Sequence, residues 1–285
     1  MARPLRIQYP GAIYHIMSRG NGQMMIYLQK NDWTKFILFM ERVIIKFNWI
    51  CYAYCLMGNH YHLLIETPDA NLASGMKYLN QLYSQHFNWK YSRVGSVLQG
   101  RYKAWLIEKE EKFLDCCRYI VNNPVEAKLV EHPSEWEWSS FRATRGIDKP
   151  PDFLNIDVLL GHFNSSRRTA RKMYEDFVLA GLGMEPPFQE AKHQIFLGSD
   201  SFIAEAMKHV RPDDQLNNVP RAQKFADRPS LENIFDVSGR ISRDTRNKLV
   251  KTAFEQHAYT QREIGEFLGL HPGHISNVLI KLRKD

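Results

Sequence analysis

Apolar and polar positions along the first half of the chain alternate or recur in ways that assign elements before any chemistry is considered. AIYHIMSRG reads as a strand from residue 12 to about 18, closed by the turn signal Gly20-Asn21-Gly22. Behind Asn31, a residue able to cap a helix, Trp33, Phe36, Ile37, Met40, Val43 and Ile44 recur at helical spacing. Strands are expected over 51–57 and 59–66, hinged near Gly58. Leu72, Met76, Leu79, Leu82 and Phe87 predict a second helix from 71 to about 89, and YKAWLIEK predicts a fourth strand. EEKFLDCCRYIVNNP predicts a third helix that stops before Pro124, because the residue ahead of a proline avoids the helical region. Strands interleaved with helices predict an α+β fold, an antiparallel sheet packed with helices.

From Trp138 to Arg211 the pattern is short, helical and irregular, and RPDDQLNNVPRAQKFADRPS, poor in apolar residues, reads as a linker. Helix punctuation returns from Ser230. Thr260 and Glu263 form a capping box, Gly269 ends that helix, and a further helix from Pro272 carries Ile275, Val278, Leu279 and Leu282. This is the pattern of an all-α helix-turn-helix. His274, Ser276, Asn277 and Lys281 fall on its outer side, where a recognition helix meets base edges or phosphates. A small bundle that only packs or binds protein is the competing reading. The expected organisation is a first domain over 1–146, a helical extension over 147–211, a linker over 212–229 and the helix-turn-helix domain over 230–285.

Composition narrows the class. The 285 residues suffice for two domains, and 44% hydrophobic with 24% charged residues describes a globular chain. No apolar run approaches the ~18 residues of a membrane span, so no membrane partner is expected. MARPLRIQYPG lacks the apolar core of a signal peptide. Four cysteines without a CxxC pair suit a reducing cytoplasm, the expected location, and argue against a zinc ribbon or disulfide scaffold. The net charge of +7 permits a polyanionic partner without requiring one.

The candidate chemistry sits in MGNHYHLLIE. Residues i and i+2 of a strand share a face, so His60 and His62 point one way while Tyr61, Leu63 and Ile65 point into a core. Two such imidazoles either meet a carbonyl or water and nothing more, or hold a divalent cation between them. On the third helix Phe113, Leu114, Cys117, Ile120 and Val121 form an inward stripe, with Asp115, Tyr119 and Asn123 every four residues on a neighbouring face. Taken singly, Tyr119 reads as a boundary aromatic or a nucleophile, and Asn123 as a helix end or an amide ligand. Arg19, Arg101 and Lys103, in loop or strand-edge positions near these motifs, are either phosphate contacts or solvated charges.

Together, YHIMSRGN, LMGNHYHLLIE, LNQLYSQHFN, GSVLQGRYKAWLI and RYIVNNPVEAKLV, in this order over residues 3–146, resemble the single-tyrosine HUH transposases, in particular the REP-associated tyrosine transposases. The resemblance implies a ferredoxin-like HUH endonuclease fold, a four-stranded antiparallel sheet with helices around it. It implies His60 and His62 as ligands of Mg²⁺ or Mn²⁺, with Asn123 at a third-ligand position. Tyr119 becomes the nucleophile that cuts single-stranded DNA near hairpin or repetitive extragenic elements and stores the bond as a 5′-phosphotyrosine. A monomer is implied ahead of a dimer. Gly58 stands where relatives often carry proline, and Glu126 and Lys128 replace an arginine and a glycine, so DNA contacts are not carried over there. The last segment, about 230–285, looks like the helical DNA-binding module of replication initiators. Two other readings stand beside this one: a non-catalytic DNA-binding regulator with the same fold, and a metallohydrolase acting on a small phosphate ester.

Overall fold

A computed structural model describes residues 5–210, 220, 223, 226, 228–235 and 242–282; most of the linker expected at 212–229 lies outside them. The chain divides into two compact units, Met1–Asn218 and Val219–Asp285. The first begins β1 (Ala12–Arg19), α1 (Lys30–Lys46), β2 (Ile50–Leu56), β3 (His60–Thr67), α2 (Leu72–Lys90), β4 (Lys103–Ile107), α3 (Lys109–Glu126). This βαββαβ succession, with α3 after it, is the ferredoxin-like α+β arrangement expected.

The sheet departs from the expected four antiparallel strands by one addition. Its order is β2-β3-β1-β4-β5, where β5 (Phe196–Leu197) lies parallel to β4 and the other pairings are antiparallel. The returning chain caps the open edge of β4: Leu106 N–H donates to the Ile195 carbonyl at 2.7 Å and Glu108 N–H to the Leu197 carbonyl at 2.8 Å. Two residues are too few to carry a period, so the sequence pattern gives no sign of this strand.

Strand alternation sorts the two layers. Tyr61, Leu63 and Ile65 are buried on the side of α1 and α2, where Phe36 packs on the Tyr61 ring at 4.8 Å and the Tyr61 hydroxyl donates to Asn80 Oδ1 at 2.5 Å. The opposite face lies under α3, whose Phe113 meets Tyr52 edge-on at 4.9 Å. After α3 come α4 (Phe141–Arg145), α5 (Ile156–Gly161), α6 (Arg167–Leu179) and α7 (Asp200–Met207). All four cysteines are free and buried, and no helix among the described residues is long and apolar enough to cross a membrane.

Two local expectations are corrected. Gln29, not Asn31, caps α1, because Asp32 reaches back to accept from the Leu28 and Gln29 N–H groups at 2.8 and 2.9 Å. Helix α3 does not stop before Pro124 but carries it inside, to Glu126. Proline leaves the carbonyl four residues back without its N–H, and that carbonyl is Ile120. The Asn123 side chain fills in, donating to the Ile120 carbonyl at 3.4 Å and to that of Tyr119 at 2.8 Å.

The second unit contains α8 (Leu231–Phe235), α9 (Arg243–Glu255), α10 (Gln261–Leu268) and α11 (Pro272–Lys281), around a core that includes Phe235, Val250, Ile264, Ile275 and Leu279. Thr260 and Glu263 close the capping box, and Gly269 takes the left-handed conformation, φ 65°, that turns the chain between α10 and α11.

Packing of α2 on the sheet-side core tolerates no side chain at Gly75: a Cβ there would lie 2.1 Å from Trp49 Cζ2. Ala is better than Gly in a helix by about 1 kcal/mol, but overpacking costs about 1–3 kcal/mol. Gly75→Ala is therefore expected to lower the urea midpoint of unfolding; a raised midpoint contradicts the packing described.

Candidate active site

The register of β1 against β3 assembles the site. Arg19 lies opposite His60, Met17 opposite His62 and His15 opposite Leu64; on the far side of β1, Lys103 faces Met17 and Trp105 faces His15. Directly paired residues project from the same face. His60, His62, His15, Arg19, Lys103 and Trp105 thus share one face of three strands.

Helix α3 crosses that face and lays Tyr119 over it. The Tyr119 ring centroid is 5.8 Å from that of His62, at 86°, and 5.8 Å from that of His15. His60 and His62 are 5.0 Å apart, ring edge to face. Phe188, in the short helical turn Pro187–Glu190, meets Tyr119 edge-on at 5.1 Å and stacks on Trp105 at 5.2 Å. A shallow cleft opens beside Tyr119, between Lys112, Arg118, Asn122 and Pro187.

Hydrogen bonds fix which ring nitrogens remain available. His60 Nδ1 is 2.6 Å from Asn59 Oδ1, and His62 Nδ1 is 2.9 Å from His15 Nε2. In both histidines Nδ1 is engaged within the protein. Asn123, expected as a third ligand, spends its amide nitrogen on the Tyr119 and Ile120 carbonyls of α3.

The groups under α3 carry no charge of their own. Burial lowers the His60 pKa to about 4, with Arg19 adding to the effect. Burial together with His15, His60 and Arg19 holds His62 well below its ordinary value, and burial alone lowers His15 to about 3. Burial also pushes the Tyr119 hydroxyl up to about 12, against the Asn123 contact. At neutral pH the site therefore presents three neutral imidazoles and a protonated phenol. Such a phenol is a poor nucleophile unless positive charge is brought to it.

The donor set bears on a cation directly. Among the described residues no group of three or more His, Cys, Asp or Glu side chains is arranged to hold a metal ion. What the chain offers is two neutral imidazoles whose Nδ1 atoms are tied back, the orientation in which histidines ligate through Nε2. A divalent ion would fit there with oxygen ligands completing its shell, from Asn123, water or a substrate phosphate.

Of the other sequence-named residues, Arg19 is half-buried beside His60, and Arg101 and Lys103 are exposed on the loop before β4 and at its start. His274, Asn277 and Lys281 are exposed on α11 and Ser276 is half-buried. Sequence reasoning missed His15, Asn59, Trp105 and Phe188. The alternation that placed His60 and His62 on one face also puts His15 on the Met17/Arg19 face of its strand; what was missing was the register joining the two strands.

Comparison with known proteins bears on residues 8–123, which match the model of the family described as Transposase IS200 like. Over that segment the chain is similar to the IS200-like transposases. The IS200-like segment spans β1 to Asn123 and so contains the three histidines and Tyr119. A solved structure described as a REP-associated tyrosine transposase bound to a REP hairpin is similar at 17% identity and a TM-score of 0.45, covering 55% of this chain and 90% of that one. No curated protein matches the chain.

The neutral imidazoles give the fold a pH dependence of defined sign. In an unfolded chain histidine titrates near 6.5, whereas His60 and His15 titrate at about 4 and about 3 in the fold. Between those values the unfolded state binds protons that the folded state refuses, so stability falls as pH drops from about 6.5 toward 4. The urea midpoint is expected to drop between pH 7 and pH 5, and His15→Phe, which removes one refusing group, to flatten that drop. An unchanged pH slope in the variant would contradict the burial of a neutral His15.

Proposed function

We propose that the first unit is a metal-dependent endonuclease and strand transferase acting on single-stranded DNA, with Tyr119 as nucleophile and His60 and His62 as ligands of Mg²⁺ or Mn²⁺. The observation that carries this reading is the convergence of the Tyr119 ring with His62 at 5.8 Å on a face whose imidazoles are neutral. The similarity of residues 8–123 to a transposase family supports DNA as the substrate.

In the proposed reaction the Tyr119 oxygen attacks the scissile phosphorus and the bond from phosphorus to the 3′ oxygen breaks. The phenol proton ends on the departing 3′ hydroxyl, and the 5′ phosphate remains joined to Tyr119. A bound divalent ion supplies positive charge that offsets the charge developing on the phosphate and lowers the energy of the phenolate. Asn123, one helical turn from Tyr119, favours the same phenolate. Arg19, beside His60, and Lys103 and Arg101 at the β4 end hold the flanking phosphates. Because the bond is stored on tyrosine, a second 3′ hydroxyl can reverse the step without ATP. Duplex stacking would keep the scissile phosphate out of a cleft covered by α3, so the cut falls in a single strand, next to a hairpin or a repetitive element.

The second unit reads as a duplex-binding accessory. Its exposed His274, Asn277 and Lys281 lie along one side of α11, with Ile275, Val278 and Leu279 buried on the other.

Incubation of the protein with hairpin-bearing single-stranded oligonucleotides and Mn²⁺ is expected to give a covalent protein–DNA species on a denaturing gel. Tyr119→Phe or EDTA should abolish it while DNA binding survives. Turnover of a small phosphate ester with no adduct would overturn the reading, as would an adduct that persists in the variant. For the second unit, Asn277→Ala with Lys281→Ala is expected to weaken duplex binding by at least tenfold and to leave adduct formation on a short single strand intact. Unchanged duplex affinity would remove α11 from the interface.

A further inference from the structure

We propose that His15 is a positioning residue: it accepts the Nδ1–H of His62 and so turns the Nε2 lone pair of His62 outward, toward the cation site. The inference rests on the metal reading above and assigns a role to a residue outside the expected ligand set.

The His60 side of the site shows what such positioning looks like. Asn59 Nδ2 donates to the Gln23 carbonyl at 3.1 Å, which fixes the amide and turns Oδ1 toward His60 Nδ1 at 2.6 Å. An amide oxygen only accepts, so His60 Nδ1 carries the proton and Nε2 carries the lone pair. At His62 the partner is a second imidazole, and two arrangements satisfy the 2.9 Å contact. If His15 Nε2 donates, His62 must carry its own proton on Nε2, where it blocks ligation. If His15 Nε2 accepts, both candidate ligands present the same lone pair to the same face.

Several features tie His15 to this contact. Its ring is fully buried; with Nε2 accepting, its proton sits on Nδ1, which has no hydrogen-bond partner among the described residues, a cost this arrangement carries. Trp105 stacks on it at 5.2 Å and 28°, which sets the ring plane, and the strand register holds its backbone between Leu64 and Trp105. A leucine or phenylalanine would fill that space without the cost of burying an imidazole. Among the described residues, the one polar contact the ring makes is to His62. Groups of this kind behind a metal ligand are commonly worth about 10–100-fold in metal affinity.

The test compares wild type, His15→Phe and His15→Gln by calorimetric titration with MnCl2, together with nitrogen-15 spectra of the histidine rings in the metal-free wild type. Glutamine carries an acceptor oxygen near the place of Nε2; phenylalanine keeps the stacking and loses the acceptor. The expected results are a protonated Nδ1 on His62, a loss of about 10–100-fold in Mn²⁺ affinity for His15→Phe, and near wild-type affinity for His15→Gln. Should the phenylalanine variant not fold, the wild-type spectra and the glutamine variant still decide: a proton on His62 Nε2 overturns the proposal. So does a folded His15→Phe that binds Mn²⁺ as tightly as wild type, which leaves the metal reading standing. A wild-type protein that binds no Mn²⁺ overturns the metal reading itself, and this inference with it.

Discussion

The pairing register between β1 and β3 is the constraint on which the site depends. Side chains alternate with a period of two, so a slip of one residue would send His60 and His62 into the apolar layer under α1 and α2. The register is held from that layer. Tyr61, Leu63 and Ile65 are almost wholly buried there, and Tyr61 is tied by its hydroxyl to Asn80 on α2. The hydrophobic side of the strand thus fixes the position of the polar side, and His15 arrives beside His62 as a consequence.

Helix α3 supplies the other half, and its oddity is functional in effect. A proline near its end would ordinarily break it, yet it continues to Glu126 with Asn123 covering the carbonyls around the gap. The same side chain then stands one helical turn from Tyr119, bonded to its carbonyl. Burial keeps the phenol protonated and the imidazoles neutral, so the groups that meet under α3 carry no charge of their own. On the proposed reading, a cation would bring positive charge to them and a substrate phosphate would complete its shell.

Much of this was legible in the residues. The i, i+2 spacing put His60 and His62 on one face, the helical stripe of Cys117 and Ile120 put Tyr119 on a neighbouring face of α3, and the Thr260–Glu263 box with Gly269 marked the turn between α10 and α11. What was not legible depended on contacts far apart in sequence. His15 acquires meaning only through a cross-strand register, Phe188 only through a chain return that reaches α3 from beyond residue 180, and β5 only through the open edge of β4. Pro124 misled for a related reason: a side-chain hydrogen bond, invisible to backbone rules, carries the helix past it.

Diffraction from crystals grown with MnCl2 addresses the convergence most directly, through the anomalous signal of the ion. The predicted result is one manganese ion bonded to Nε2 of both His60 and His62, with the Tyr119 hydroxyl turned toward it. Manganese bound elsewhere, or ligation through Nδ1 with Tyr119 facing away, would contradict it.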